Sequence, residues 1–308
     1  MNHVLDRVPA GGRVAIVRLR SLGDAVLTTP AIHLLKTARP DLQIAVVVED
    51  RFAEVFAGNP DIAAVLPPGL MALRRFHADL CLNLHGGPKS ARLTALSGAK
   101  WRAGFAHYPN GWAYNVKIPT AQQILGVSRK VHTAEHLASA MFFLGVPTDE
   151  IPRARLFATP AQTPDSLPAH YAVIHPTASH PAKAWPVPLF IGIAKHLKRS
   201  HDLPPVFIGG PAEDLSPFQI WPTFSNAPLE QIKRVLQNAS LFIGNDSGPA
   251  HMAAAFGVPV VVLFGPSDAI TWAPWRTSGE ALAAHGPIHH ITEAQVQQAL
   301  DRLQVHAG

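Results

Sequence analysis

The sequence predicts an α/β protein built from two successive domains, each around its own parallel sheet. Three observations predict it. The chain has 308 residues, about twice an ordinary domain. Short runs rich in β-branched residues alternate with longer stretches of helical pattern. The second half then repeats the plan of the first. With 47% hydrophobic and 15% charged residues, the composition supports a large core and excludes a disordered chain.

In the first half, strands are expected at 13–19, 43–48, 63–66, 79–85 and 102–105. Helices are expected between them at 24–38, 51–57, 69–77 and 89–97, and a longer one at 132–145 closes the half. The segment from Pro147 to Pro168 holds five prolines and few apolar runs, and reads as an interdomain linker. The second half opens with a strand at 171–176, a helix at 188–199 and a strand at 204–210. A helix at 229–239, a strand at 240–246, a helix at 248–257 and a strand at 259–266 follow. The final helix, from Thr292 to about residue 304, has Thr292 as its N-cap.

Charge narrows the partners. The formal net charge is +5, with 17 histidines besides, which favours an anionic partner. Basic residues are spread along the chain without a basic helix or an aromatic RNA-binding motif, so no nucleic acid is expected. Cys81 is the single cysteine. It cannot form an internal disulfide, and its apolar surroundings make it a buried structural thiol. The N-terminus lacks the apolar stretch of a signal peptide. No run of about 18 apolar residues marks a membrane span. A cytoplasmic protein is expected.

Ligands of open α/β sheets bind beyond the carboxyl ends of the strands, in the cleft that two such domains are expected to form. Three strand-end loops therefore carry the candidates. In "RLRSLGDAVLTTPA" Gly23 permits a tight turn into a helix. Asp24, in its first turn, is either a capping carboxylate or a general base on a rigid loop. In "HPTASHPAKAWP" Thr177, Ser179 and Lys183 offer hydroxyls and a cation suited to phosphate. In "GNDSGPAH" a strand ends at Asp246, and Ser247 and Gly248 open a helix that carries His251. The free amides of such a helix start make an anion site, and Gly248 removes the Cβ that would hold a phosphate off the backbone.

Other chemistries lose their support. "HTAEH" at 132–136 matches the H-x-x-E-H pattern of a zinc protease family, but nothing else in the chain supports that reading. There is no G-x-G-x-x-G after a strand, no Walker A loop and no G-x-S-x-G elbow. A D-x-D pair to hold a metal on a diphosphate is also missing, which leaves charge neutralisation to Lys183 and helix amides.

The stretches "RLRSLGDAVLTTPAIHLLK", "LNLHGGPKSA", "HTAEHLASAMFFLG", "KAWP", "PLEQIKRVLQNASLFIGNDSGPAHMAAAFGVPVVVLFGPSD" and "W-x-PW" at 272–275 resemble glycosyltransferase family 9, the ADP-heptose:lipopolysaccharide heptosyltransferases. The resemblance runs in order from about residue 13 to 275. It implies a GT-B architecture of two Rossmann-like domains facing a central cleft. Residues 1–160 would hold the acceptor, residues 161–290 the sugar nucleotide, and the helix in 291–308 would return to the first domain. It implies an inverting, metal-independent transfer of heptose from ADP-heptose to an anionic lipopolysaccharide core acceptor, Kdo or heptose. No cofactor or metal is expected, because the ADP-sugar is a substrate. Asp24 matches the family's general base and Lys183 its diphosphate lysine. Asp246, Ser247, Gly248 and His251 match the donor block, with Thr177 and Ser179 as phosphate contacts. Glu230 falls near the nucleotide ribose, and Lys89 and Ser90 in the acceptor loop. Where the family has arginine after "HTAE", this chain has His136. Peripheral contact with the cytoplasmic face of the inner membrane is a further expectation. Rival readings are a GT-B enzyme with another donor or acceptor, a sugar-nucleotide epimerase, and a non-catalytic binder of nucleotide sugars or anionic glycans.

Overall fold

The computed structural model describes residues 3–159 and 167–303 and divides into two compact units, Met1–Phe157 and Ala158–Gly308. The first unit contains strands β1 (Arg13–Val17), β2 (Gln43–Val47), β3 (Ala64–Leu66), β4 (Leu80–Asn83), β5 (Trp101–Phe105) and β6 (Val116–Ile118). Its helices are α1 (Leu22–Ala38), α2 (Asp50–Ala53), α3 (Leu70–Phe76), α4 (Pro88–Leu96), α5 (Ala121–Leu125) and α6 (Thr133–Leu144). The second unit contains β7 (Ala172–His175), β8 (Pro205–Gly209), β9 (Thr223–Ser225), β10 (Leu241–Asn245), β11 (Val260–Phe264) and β12 (Gly279–Ala283). Its helices are α7 (Val187–Ser200), α8 (Leu229–Gln237), α9 (Gly248–Phe256), α10 (Ala269–Trp272) and α11 (Glu293–Leu303).

Each unit is one six-stranded sheet, ordered β3-β2-β1-β4-β5-β6 in the first and β12-β11-β10-β7-β8-β9 in the second. Every pairing is parallel. The central strands are buried along almost their whole length. Helices on both faces of a parallel sheet demand this, and the sequence meets it with unbroken apolar runs such as "VVVLF". In both sheets the winding reverses beside the first strand, between β1 and β4 and between β7 and β10. At such a reversal two neighbouring strand-end loops diverge and leave a crevice.

The expected strands and long helices are present, with ends shifted by a few residues. The short edge strands β6, β9 and β12, and the short helices α5 and α10, escaped the sequence reading. Three-residue strands have no period to detect, and "GEALA" of β12 is only half-buried, without a β-branched residue. Cys81 is fully buried, and burial pushes its thiol up to about 11, as befits the expected inert core residue.

One expectation changes. Most of the proline-rich segment is no free linker. Ile151, Ala154 and Leu156 are buried, and the Arg155 backbone N–H donates to Thr29 Oγ1 at 2.9 Å, fastening the segment to α1. Only 160–166 lie outside the described residues. Within the second unit, α11 packs on α7, β11 and β12. Val296, Ala299 and Leu300 enter the same core as Phe190 and Leu197. Burying each larger side chain is worth roughly 1.5–3 kcal/mol. The Trp185 indole N–H donates to Ile291 O at 2.8 Å and fixes the approach to the helix. Thr292 caps α11 as expected: its backbone N–H and hydroxyl donate to Gln295 Oε1, and its Oγ1 accepts from the Gln295 N–H. Position 304 lies outside the described residues. Among the described residues no helix is long and apolar enough to cross a membrane.

Candidate functional site

In the first unit the chain leaves β1 through Arg18 and enters α1 at Leu22, so Asp24 stands in the helix's first turn. The capping reading of Asp24 is met in full. One carboxylate oxygen, Oδ2, accepts from the Ser21 backbone N–H at 3.1 Å and the Ser21 hydroxyl at 2.9 Å. The other, Oδ1, is held by Arg18, whose guanidinium also donates to Leu84 O. Arg18 is buried, and the Asp24 side chain is 18% exposed. That exposed edge faces a 560 Å³ cavity lined by Arg18, Arg20, Ser21, Asp24, Arg51, Phe52 and His85. These residues come from the loops after β1, β2 and β4, beside the reversal in strand order.

His85 is positioned by Asn83, which is wholly buried. Asn83 Oδ1 accepts from the backbone N–H groups of His85 and Gly86 at 2.9 and 3.0 Å. Its amide donates to Ser90 Oγ at 3.1 Å and to the Tyr114 hydroxyl at 2.9 Å. Gly86 has φ 81°, and a Cβ there would meet the Tyr108 ring at 2.8 Å, so only glycine makes this turn. Burial, then the charges of Arg18 and Arg20, lower the pKa of His85 and favour the neutral imidazole.

The expected acceptor pair Lys89 and Ser90 is split. Lys89 is exposed and lines a separate, largely apolar cavity of 450 Å³ with Leu70, Pro88, Arg92, Leu93 and Leu96. Ser90 is wholly buried; its hydroxyl donates to Gly87 O at 2.7 Å. With no surface to offer a ligand, Ser90 holds the His85 loop in shape. "HTAEH" resolves as a helix start. His132 caps α6, and Glu135 accepts from the His132 N–H at 2.8 Å and from Arg129 at 2.9 Å. His136 stacks on Phe105 with ring centroids 4.0 Å apart.

Burial, then the charges of His107 and Arg18, push His136 down to about 4. The unfolded chain takes up this proton near pH 6.5, so the folded state binds fewer protons between pH 6.5 and 4. The resulting penalty is absent above 6.5, grows as pH falls, and levels off below 4. At pH 5 it amounts to about 2 kcal/mol. Urea unfolding at pH 7.5 and pH 5 will show this loss in the native chain and a smaller one in His136→Phe, which keeps a ring on Phe105. An equal loss in both would remove His136 from the acid response.

In the second unit the loops after β7, β8 and β10 lie side by side at the other reversal. Lys183 Nζ donates to Asp246 Oδ2 at 2.8 Å, with the side chains 31% and 10% exposed. Asn245, fully buried, welds the two loops. Its carbonyl accepts from the Trp185 N–H at 3.0 Å, and its amide donates to Pro176 O and Thr177 O. Ser247 is the N-cap of α9, Gly248 its first residue, and His251 is buried one turn in. The first amides of α9 stand where the sequence led us to expect an anion site.

His175 and Glu213, both missed by the sequence reading, organise this group. His175 Nδ1 lies 3.0 Å from Ser247 Oγ, and Nε2 lies 3.1 Å from both Glu213 Oε2 and Thr177 Oγ1. Burial acts to raise the Glu213 carboxyl. Hydrogen bonding and charge from His175, with hydrogen bonds from Thr177 and the Gly210 N–H, outweigh it and hold the group at about 2. The only hint in the sequence was position: His175 ends one strand, and Glu213 follows another by four residues. Ser179 is exposed on the turn beyond Thr177. Glu230 sits on α8, 42% exposed, and pairs with Arg234 at 3.3 Å; among the described residues it is no member of the hydrogen-bonded group.

Two parallel-sheet units, each with polar loops gathered at its reversal in strand order, give the chain a GT-B-like fold. The profile of glycosyltransferase family 9 (heptosyltransferase) matches residues 70–299. The chain belongs to that family. It is 25% identical over 304 residues to lipopolysaccharide heptosyltransferase 3 of Escherichia coli, covering 83% of each chain. It is 28% identical to lipopolysaccharide heptosyltransferase 1 of Pseudomonas aeruginosa, covering 83% of this chain and 79% of the relative. The same fold occurs in a family 9 glycosyltransferase from Veillonella parvula, with TM-score 0.82, 21% identity, and 95% and 97% of the two chains covered. It occurs again in an Escherichia coli heptosyltransferase solved with ADP, with TM-score 0.75, 22% identity, and 94% and 99% covered.

Proposed function

We propose that this protein is an inverting, metal-independent heptosyltransferase that moves heptose from ADP-heptose to an anionic lipopolysaccharide core acceptor. The observation that carries the reading is Asp24, a carboxylate lining a cavity that also presents Arg18, Arg20 and Arg51. An acidic sugar or phosphorylated acceptor suits Arg18, Arg20 and Arg51, and its attacking hydroxyl needs a base at that wall. Family membership supplies the reaction class.

Asp24 takes the proton as the acceptor oxygen attacks the anomeric carbon from the face opposite ADP. The bond from that carbon to the diphosphate breaks in the same displacement, inverting the configuration. Lys183 and the α9 amides stabilise the charge gathering on the departing ADP. Thr177 and Ser247 stand beside Lys183 as phosphate partners, and Glu213 fixes His175 beneath them. The first unit thus holds the acceptor and the second the donor. The protein works on the cytoplasmic side, meeting its glycolipid acceptor at the inner membrane without a span.

The test is a transfer assay with ADP-heptose against a panel of core acceptors, with GDP- and UDP-sugars in parallel. Transfer from ADP-heptose alone, to an acidic core acceptor, is the expected result. Transfer from another donor would reassign the second unit. Tight ADP-heptose binding without transfer to any acceptor would leave a binding protein.

A further inference from the structure

Among the described residues, one group of side chains has the composition and spacing of a metal site: His196, His201 and Asp301, whose ligand atoms all lie within 4.8 Å of one another. His196 sits just before the last turn of α7, His201 is the C-cap of that helix, and Asp301 is on α11. The His201 Nε2 atom is 3.6 Å from Asp301 Oδ1. Zinc bonds of about 2.0–2.2 Å to nitrogen and oxygen place tetrahedral ligands roughly 3.4 Å apart, so that pair is already at ligating distance. His196 Nε2 is buried and has no hydrogen-bond partner among the described residues, an expensive state for a ring nitrogen. The two imidazoles are 5.3 Å apart between centroids and steeply tilted, unlike a stacked pair. Asp301, exposed at 67%, can swing to close the third side.

We propose that His196, His201 and Asp301 bind a divalent first-row transition ion of the zinc class, which clips α11 to α7. Two imidazoles and one carboxylate are borderline ligands that prefer such an ion to Mg²⁺ or Ca²⁺. The place in the fold makes the ion structural. Helix α7 starts beyond the carboxyl end of β7 and runs back to the start of β8. Its last turn is therefore at the edge of the sheet opposite the loops that carry Lys183 and Asp246. The transfer proposed above remains free of metal, and the two ideas fail separately.

The experiment uses the full chain, stripped with chelator and titrated with Zn²⁺ alone, Mg²⁺ serving as the hard-ion control. The native protein is expected to take up one equivalent of Zn²⁺ tightly and to melt several degrees higher with it. The exposed ligand gives a safe variant in Asp301→Asn, and His196→Gln keeps a side chain of similar length. Each should weaken Zn²⁺ binding by at least about 10- to 100-fold, the loss that even outer-shell changes produce, and abolish the rise in melting temperature. Their metal-free melting should match that of the metal-free native chain. Zn²⁺ uptake that is equal in native and variant proteins would mean adventitious histidine binding and would overturn the proposal. So would the absence of tight binding, or a stabilisation that Mg²⁺ reproduces.

Discussion

Asp24→Asn will leave a folded protein whose heptosyl transfer falls by about 10²- to 10⁴-fold, the usual contribution of a positioned general base. The substitution is close to isosteric. The amide oxygen can still accept from the Ser21 N–H that Asp24 now caps at 3.1 Å, so the start of α1 is preserved. What disappears is the ability to take a proton, together with the ion pair to Arg18. Because Arg18 is buried, leaving it without an anion will cost stability, by up to about 3–5 kcal/mol if no rearrangement relieves it. Activity must therefore be read on protein shown by circular dichroism to be folded at the assay temperature. Two readouts separate base from brace. The donor KM should stay within a few-fold of native, because Asp24 lies in the other unit from Lys183 and Asp246. Asp24→Glu, which restores a carboxylate one methylene longer, should recover part of the lost turnover. Near-native turnover in a folded Asn variant would eliminate Asp24 as the base.

The sequence reached the two-domain plan and the strand-end loops because these rest on local signals. Parallel strands buried on both faces must be unbroken apolar runs, and the polar residues that interrupt them at the carboxyl ends stand out. Asp24, Lys183 and Asp246 were legible for that reason. Lys183 and Asp246, 63 residues apart, meet at 2.8 Å because β7 and β10 are neighbours, as two strand-end loops in one small sheet can be. Other features depend on which strands are adjacent. His175 and Glu213 carry no local signal, and it is the order β10-β7-β8 that brings them to 3.1 Å. Ser90 shared a motif with Lys89, yet a helix turns consecutive residues about 100° apart, and one faces the core while the other faces solvent. The last helix was legible as a helix, but its own residues do not say which neighbours in the second unit bury it. Trp185 and the α7 face decided that.

Lys183→Ala will lower kcat/KM for the donor by about 30- to 1,000-fold, the range of 2–4 kcal/mol seen when one member of a hydrogen-bonded charge pair is truncated. Two losses combine. The cation that faces the diphosphate disappears, and Asp246, only 10% exposed, keeps a carboxylate with no counter-charge beside an incoming anion. The effect should appear in ADP affinity as well as in turnover, since the departing ADP carries more charge than the bound sugar nucleotide. Lys183→Arg retains the charge but replaces a compact ammonium with a wider fork, and should recover only part of the loss. The double variant Lys183→Ala with Asp246→Asn discriminates the two causes. If repulsion from the stranded carboxylate dominates, the double variant binds ADP better than Lys183→Ala alone. If direct contact with the diphosphate dominates, the second change restores nothing. Unchanged ADP affinity in Lys183→Ala would reduce the lysine to a brace for Asp246, and the anion would then be held by the α9 amides and the hydroxyls of Thr177 and Ser247.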